Sequence, residues 1–309
     1  MKNNKQSANK QNKPTMKNFW IRTASATVYA LLFIGSIYSG RLIGNNNIGA
    51  AILTAFALFA ALGCAFEYYR IAEMQENHPN KPLGYFFTTL MVLVPSLLPL
   101  CIGEIEVGSV FGFTVLALFI ALLLVALPIT LARELWLNSE RPFGDALHTL
   151  LPVIYCALPL GLMPILHYEF NILMMCIIMV WVNDSFAYMG GSLLGKHKLW
   201  PKHSPGKTWE GTAIGVIACV AVGVTIGPLF NAFPYRHIGW PVWLALALVC
   251  SIIGTLGDLV ESMLKRSVGL KDSGNIMPGH GGFLDRFDSL LMILPFATLI
   301  GCLVAIITF

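Results

Sequence analysis

The sequence predicts an all-α polytopic integral membrane protein, a helical bundle of about nine transmembrane helices. Three observations carry this prediction. Of 309 residues, 56% are hydrophobic and only 12% charged, and mean hydropathy is +0.70, whereas a soluble domain has about 25% charged residues. Apolar windows of the ~20 residues that cross a bilayer as a helix recur near 19–39, 48–66, 84–102, 110–130, 148–166, 170–190, 211–230, 240–261 and 289–308. Eighteen of the 20 Lys and Arg fall in the amino-terminal tail and entry and in alternate loops, 67–83, 131–147, 191–210 and 262–288, leaving Arg41 and Arg236 on the other side. Cytoplasmic segments carry the Lys/Arg excess, so this bias puts the amino terminus and both polar loops in the cytoplasm.

Residues 1–18 are Lys, Asn, Gln and Ser with hardly an apolar side chain. They cannot bury enough surface to fold and read as a disordered basic cytoplasmic tail. The apolar run after them is too long for a signal peptide and lacks a small-residue cleavage site. Spans within 19–166 read as scaffold, lipid or oligomer contacts; the fourth, with LFIALLLVALPI, has no polar residue to guard a substrate path. Glu67, Arg70 and Glu73, after the second span, read as a solvated helix extension. Seven cysteines, scattered singly through apolar segments, match neither a metal site nor a disulfide framework. Gly211/Gly215 and Gly223/Gly227 give the seventh span two small-xxx-small steps, which permit close helix approach and dimerisation.

The chemistry lies in 167–309. Asn183 and Asp184 interrupt the sixth span, and a carboxylate at that depth costs about 2.5–3.5 kcal/mol unless it is paired. The adjoining loop, 191–210, is basic and contains Ser204-Pro205-Gly206-Lys207-Thr208. There two hydroxyls and an ammonium converge on a rigid turn suited to gripping a phosphate, beyond what attraction to anionic lipid requires. Gly206-Lys207-Thr208 is not expected to be a Walker loop, because position 201 is Pro where that motif needs Gly and no strand is expected before it.

The second loop, 262–288, belongs to the stretch Gly257–Asp288. Asp258, Ser262 and Lys265 recur at i, i+4 and i+7 and share one helix face. A Gly- and Pro-rich segment comes next, then Asp285 and Asp288 at i and i+3 at the mouth of the last span. Carboxylates are hard ligands suited to Mg²⁺, which takes one or two of them together with phosphate oxygens and water. Glycines 281 and 282 beside His280 let backbone N–H groups approach a phosphate, and Lys265, Arg266, Lys271 and Arg286 offset its charge. Helix ends snorkelling into headgroups would need neither the mixed signs nor the HGG. The residues thus predict a membrane enzyme with a cytosol-facing, Mg²⁺-dependent phosphoryl- or nucleotidyl-transfer site, acting on one lipid and one soluble substrate. Two readings stand beside it: a CTP- or ATP-dependent lipid kinase, and an ion-coupled transporter of a small anion. The transporter would bury its charges near mid-membrane in paired repeats.

The run Ser262-x-Leu264-Lys265-Arg266-x4-Lys271-Asp272-x-Gly274-x2-Met277-Pro278-x-His280-Gly281-Gly282-Phe283-x-Asp285-Arg286-Phe287-Asp288 resembles the signature of the phosphatidate cytidylyltransferases, or CDP-diacylglycerol synthases. Asp184-Ser185-Phe186-Ala187-Tyr188 and Ser204 to Gly211 resemble the same family, so the likeness covers about 180–309. It implies the reaction CTP + phosphatidic acid → CDP-diacylglycerol + pyrophosphate in phospholipid biosynthesis, in a bacterial plasma (inner) membrane, by an all-helical homodimer with no nucleic-acid partner. It implies divalent metal, Mg²⁺, on Asp258, Asp285 and Asp288, with a monovalent cation such as K⁺ beside it. Lys265 is then expected to stabilise charge at the reacting phosphates. Arg266, Lys271, Arg286, Ser204, Lys207 and Thr208 are expected to contact substrate phosphates, Asp184 to share the pocket, and His280 to donate a hydrogen bond or shape the loop.

Overall fold

The computed structural model describes residues 16–102, 109–166, 170–230, 239–274, 276 and 281–307. Each of the nine apolar windows lies on a helical segment. These are α1 (Met16–Ile43), α2 (Asn46–Met74), α3 (Lys81–Ile102), α4 (Ser109–Leu137), α5 and α6 (Pro142–Pro152, Leu158–Leu166), α7 (Phe170–Leu194), α8 (Trp209–Phe230), α9 and α10 (Trp240–Leu248, Gly254–Ser267) and α11 (Leu284–Ile307). Among the described residues seven helical stretches are long and apolar enough to cross a membrane, and Thr27–Ile43 adds a shorter apolar one, so the count of nine is approximate. Residues 1–15 of the expected tail lie outside the described residues, and Met16 already belongs to α1.

Small side chains set how closely the rods approach. Ala57, Ala60, Ala61, Cys64 and Ala65 make α2 thin on the side where α1, α3 and α6 pack. Between apolar helices in lipid it is this fit, more than escape from water, that drives association. The glycine steps of α8 work in the same way, but inside the chain. A Cβ on Gly211 would lie 2.5 Å from the Ala187 carbonyl of α7, and one on Gly227 would lie 2.5 Å from the Trp243 ring of α9. Those faces are covered by α7 and α9, which corrects the expectation that they offer a dimer contact.

Two π-helical turns, Val153–Ala157 and Val249–Ile253, join α5 to α6 and α9 to α10. Each adds a residue to a turn and rotates the helix beyond it; the second sets the phase of α10. Loop 191–210 departs from the expected turn. Lys198–Trp200 (β1) and Ser204–Thr208 (β2) form a short antiparallel hairpin about Pro201-Lys202-His203. A ladder gives this backbone partners that an irregular loop would lack. The Glu210 carboxylate completes the set by accepting from the N–H groups of Lys196 and His197.

Candidate active site

Helix α10 carries Asp258, Glu261, Ser262 and Lys265 at i, i+3, i+4 and i+7, and that polar face is turned into the protein: Glu261, Ser262 and Lys265 are buried and Asp258 half-buried. It stops at Gly269, whose positive φ (+73°) only glycine adopts readily. There Leu270 N–H donates to Lys265 O (2.9 Å) and Arg266 Nη1 donates to Leu270 O. Arg266 therefore holds the end of its own helix.

Helix α11 begins at Leu284 and brings Asp285 and Asp288 to the same place. Carboxylate oxygens of Asp258, Glu261 and Asp288 lie within 4.8 Å of one another. Three hard anionic donors at that spacing match the ligand chemistry of a small divalent cation. Glu261 strengthens the fit: it is 1% exposed, and among the described residues neither of its oxygens has a partner in hydrogen-bond geometry. Lys265 Nζ lies 2.5 Å from its Oε2 as an ion pair outside hydrogen-bond geometry. A buried carboxylate whose one cation is shared with Asp285 remains costly, and an ion shared with Asp258 and Asp288 would offset that cost.

Asp285, expected to bind metal with Asp258 and Asp288, lies outside this cluster, and Glu261 lies inside it. Asp285 is saturated by other partners: Oδ1 receives Lys265 Nζ (2.5 Å), and Oδ2 receives the N–H of Ser273 (2.9 Å) and of Gly282 (2.7 Å). Lys265 thus bridges two acidic groups, Glu261 on its own helix and Asp285 on α11.

The hairpin reaches this cluster from across the molecule. Lys207 Nζ pairs with Asp258 Oδ2 at 2.6 Å and lies 3.5 Å from the Thr255 carbonyl. Asn183 of α7, 3% exposed, donates from Nδ2 to Thr255 Oγ1 (3.2 Å), while its Oδ1 has no hydrogen-bond partner among the described residues. Thus α7, the hairpin, α10 and α11 converge. A cavity of about 170 Å³ is lined by Asp184, Asp258, Asp285, Arg286, Asp288 and Ser289 together with the apolar or aromatic side chains of Tyr29, Phe33, Ile177, Val180, Trp181 and Leu290. Ligand pockets usually span about 300–1,000 Å³, so this volume suits an ion and phosphate groups, with the rest of any substrate lying outside it.

The other residues expected to contact substrate have these places in the structure. Thr208 Oγ1 accepts from Gly211 N–H (3.2 Å) and caps α8. Ser204 sits in the hairpin register opposite Trp200, half-buried, and Lys271 is exposed. The N–H of Gly282 faces the Asp285 carboxylate, and a Cβ there would overlap both Glu67 carboxylate oxygens; a Cβ on Gly281, at φ +80°, would overlap Asp285 Oδ2. These two glycines make room for the chain's own carboxylates. His280 lies outside the described residues.

Sequence reasoning missed Glu67 and Glu261. Glu67 is not solvated: it is 1% exposed and accepts from Ser273 Oγ (2.6 Å) and from the N–H groups of Phe283 and Leu284 (2.9 Å each). Arg70 is exposed and Glu73 pairs with Lys81 at the surface, so the solvated reading holds for those two alone. A signal existed for both misses. Ala60, Cys64, Glu67 and Ile71 follow the 4-3-4 spacing of one buried stripe, and Glu261 stands four residues before Lys265 in the favoured ion-pair order.

The model of the Cytidylyltransferase family matches residues 20–304. A protein named phosphatidate cytidylyltransferase from Staphylococcus epidermidis is 33% identical over 282 residues, 89% of this chain and 96% of the relative. Proteins of the same name from Staphylococcus haemolyticus and Bacillus subtilis are 38% identical over 235 residues (68% of this chain, 86% of the relative) and 48% identical over 119 residues (38% and 43%).

Proposed function

The chain belongs to the cytidylyltransferase family, and from that premise we infer that it is a phosphatidate cytidylyltransferase, a membrane nucleotidyltransferase of phospholipid biosynthesis. It joins CTP to phosphatidic acid, giving CDP-diacylglycerol and pyrophosphate. The observation that carries the reading is the convergence of Lys207, from the hairpin, on the Asp258, Glu261 and Asp288 cluster beside a cavity lined in part by apolar side chains. A cationic grip and a hard-ligand cluster suit polyphosphate, and apolar side chains suit a lipid.

In the reaction a phosphate oxygen of phosphatidate bonds to the α-phosphorus of CTP, and the bond from that phosphorus to the bridging oxygen of pyrophosphate breaks. The attacking phosphate is already ionised, so no strong base is required, and catalysis consists of bringing two anions together and stabilising charge. Asp258, Glu261 and Asp288 would hold Mg²⁺, which when bound neutralises phosphate oxygens and orients them for in-line displacement. Lys207, paired with Asp258, is placed to transfer its ammonium to an incoming phosphate, and Arg286, lining the cavity, serves the same anions. Lys265 keeps Glu261 and Asp285 from repelling each other as they face the site. The side chains of Tyr29, Phe33 and Trp181 admit the lipid and limit water. The Lys/Arg asymmetry of the loops supports a plasma-membrane protein whose site opens to the cytoplasm.

Positional labelling tests the reading. The purified protein with phosphatidate micelles and Mg²⁺ should move label into lipid from [α-³²P]CTP and none from [γ-³²P]CTP, with pyrophosphate released in equal amount. Lipid labelled from the γ-position, or from [γ-³²P]ATP, would make it a kinase. Transport of a small anion by a preparation that makes no CDP-lipid would make it a transporter.

A further inference from the structure

The structure assigns Glu67, on α2 in the half of the chain otherwise read as scaffold, as a positioning residue for the divalent-metal cluster. This inference rests on the metal-dependent function proposed above and names a residue that governs that site without touching it.

Helix α11 starts with N–H groups that its own turns cannot satisfy. Glu67 supplies the missing acceptors from another helix: Oε1 takes Phe283 N–H and Oε2 takes Leu284 N–H, both at 2.9 Å. A carboxylate at a helix amino terminus is favoured by the helix dipole as well. The same Oε2 receives Ser273 Oγ at 2.6 Å, and Ser273 also directs its N–H to Asp285 Oδ2 at 2.9 Å. One carboxylate therefore fixes where α11 begins, and with it the rotation that aims Asp288 at Asp258 and Glu261. It also fixes the loop whose Ser273 orients Asp285, the partner of Lys265.

The surroundings are shaped to this contact. A Cβ on Gly274 would lie 2.5 Å from Glu67 Oε1, and a Cβ on Gly282 would overlap both oxygens, so the loop meets the carboxylate through glycine backbone. One turn earlier on α2, Gly63 receives the Phe283 ring, where a Cβ would lie 2.5 Å away, and Phe59 meets that ring edge-on at 5.1 Å. Past the end of α2, Gln75 Nε2 donates to Ser267 Oγ at 2.6 Å, tying the same helix to the last turn of α10. Helix α2 thus holds both helices that carry the cluster, and Glu67 is its hydrogen-bonded contact to the start of α11.

Residues that orient metal ligands from behind typically govern metal affinity by about 10- to 100-fold. The test is Mn²⁺ binding to the purified full chain by electron paramagnetic resonance, which needs no turnover, beside CDP-lipid formation against Mg²⁺ concentration. Glu67→Ala should weaken Mn²⁺ binding and raise the Mg²⁺ midpoint within that range. Glu67→Gln, which keeps one acceptor oxygen, should fall between Ala and the unmodified chain, and it carries the test if the Ala variant does not fold. Tyr69→Phe removes a buried hydrogen bond from the same helix (Tyr69 Oη to Thr149 O, 2.9 Å) and should leave Mn²⁺ binding unchanged. Unchanged Mn²⁺ affinity in folded Glu67→Gln, or equal weakening in Tyr69→Phe, overturns the assignment. If the unmodified chain binds Mn²⁺ but makes no CDP-lipid, the proposed reaction falls and the Mn²⁺ series still decides the role of Glu67.

Discussion

Removing the Lys265 ammonium is the sharpest perturbation of the site. Lys265→Met keeps the apolar stem and deletes the charge that lies 2.5 Å from both Glu261 Oε2 and Asp285 Oδ1. The two carboxylates differ in what remains to them. Asp285 keeps the N–H groups of Ser273 and Gly282, whereas Glu261, 1% exposed, keeps no hydrogen-bond donor among the described residues. Lys207 is already paired with Asp258. Breaking a buried ion pair from one side costs about 3–5 kcal/mol, and here the loss concentrates on Glu261. Glu261→Gln in the same chain removes the stranded charge, so the double variant should recover roughly 1–3 kcal/mol relative to additivity. The assay is equilibrium unfolding in mixed detergent and dodecyl sulfate micelles with chelator, read by tryptophan fluorescence. Mg²⁺ at about 100 times its Kd should then stabilise a binding-competent chain by about 2.7 kcal/mol. At that same fixed Mg²⁺ concentration Lys265→Met should gain more than the unmodified protein, because the ion replaces the missing charge and binds more tightly. Additivity of the two substitutions within about 0.5 kcal/mol would show that Lys265 does not neutralise Glu261 and would refute the reasoning.

Two further substitutions separate structural from substrate-binding roles. Thr208→Ala removes the cap on α8 and should cost about 0.5–2 kcal/mol of stability with KM for CTP and phosphatidate unchanged; a raised KM with unchanged unfolding would restore the phosphate grip expected from sequence. Gly282→Ala drives a methyl into the Glu67 carboxylate and should cost about 1–3 kcal/mol while slowing turnover, and a variant that unfolds and turns over like the unmodified chain would show that the loop yields freely.

Hydropathy made the helices legible because a bilayer imposes one length and one polarity on each span. The clustering of Asp258, Lys265, Asp285 and Asp288 was legible because ionisable groups are rare in such a chain. Two features lay beyond that reach. The π-helical turn at Val249–Ile253 leaves no mark on an apolar pattern, yet it sets the phase of α10. That Glu261 clusters with Asp258 and Asp288 while Asp285 turns to other partners depends on where Ser273 and Gly282 direct their N–H groups, and sequence spacing does not encode that. Glu67 was misread because a carboxylate near the end of an apolar run is usually a solvated one. Its partners, Ser273, Phe283 and Leu284, lie more than 200 residues away along the chain. The hairpin at 198–208 was hidden by its Pro and Gly content, which favours a turn reading.

The central claim is that Asp258, Glu261 and Asp288 form the metal centre, with Asp285 supporting it through Lys265. Mn²⁺ titration by electron paramagnetic resonance tests this most directly, across Asp258→Asn, Glu261→Gln, Asp288→Asn and Asp285→Asn in the otherwise unmodified chain. The first three should lose high-affinity Mn²⁺, whereas Asp285→Asn should retain binding with weakened affinity. Loss of binding in Asp285→Asn together with unaltered binding in Glu261→Gln would contradict the account and return the metal to the triad expected from sequence.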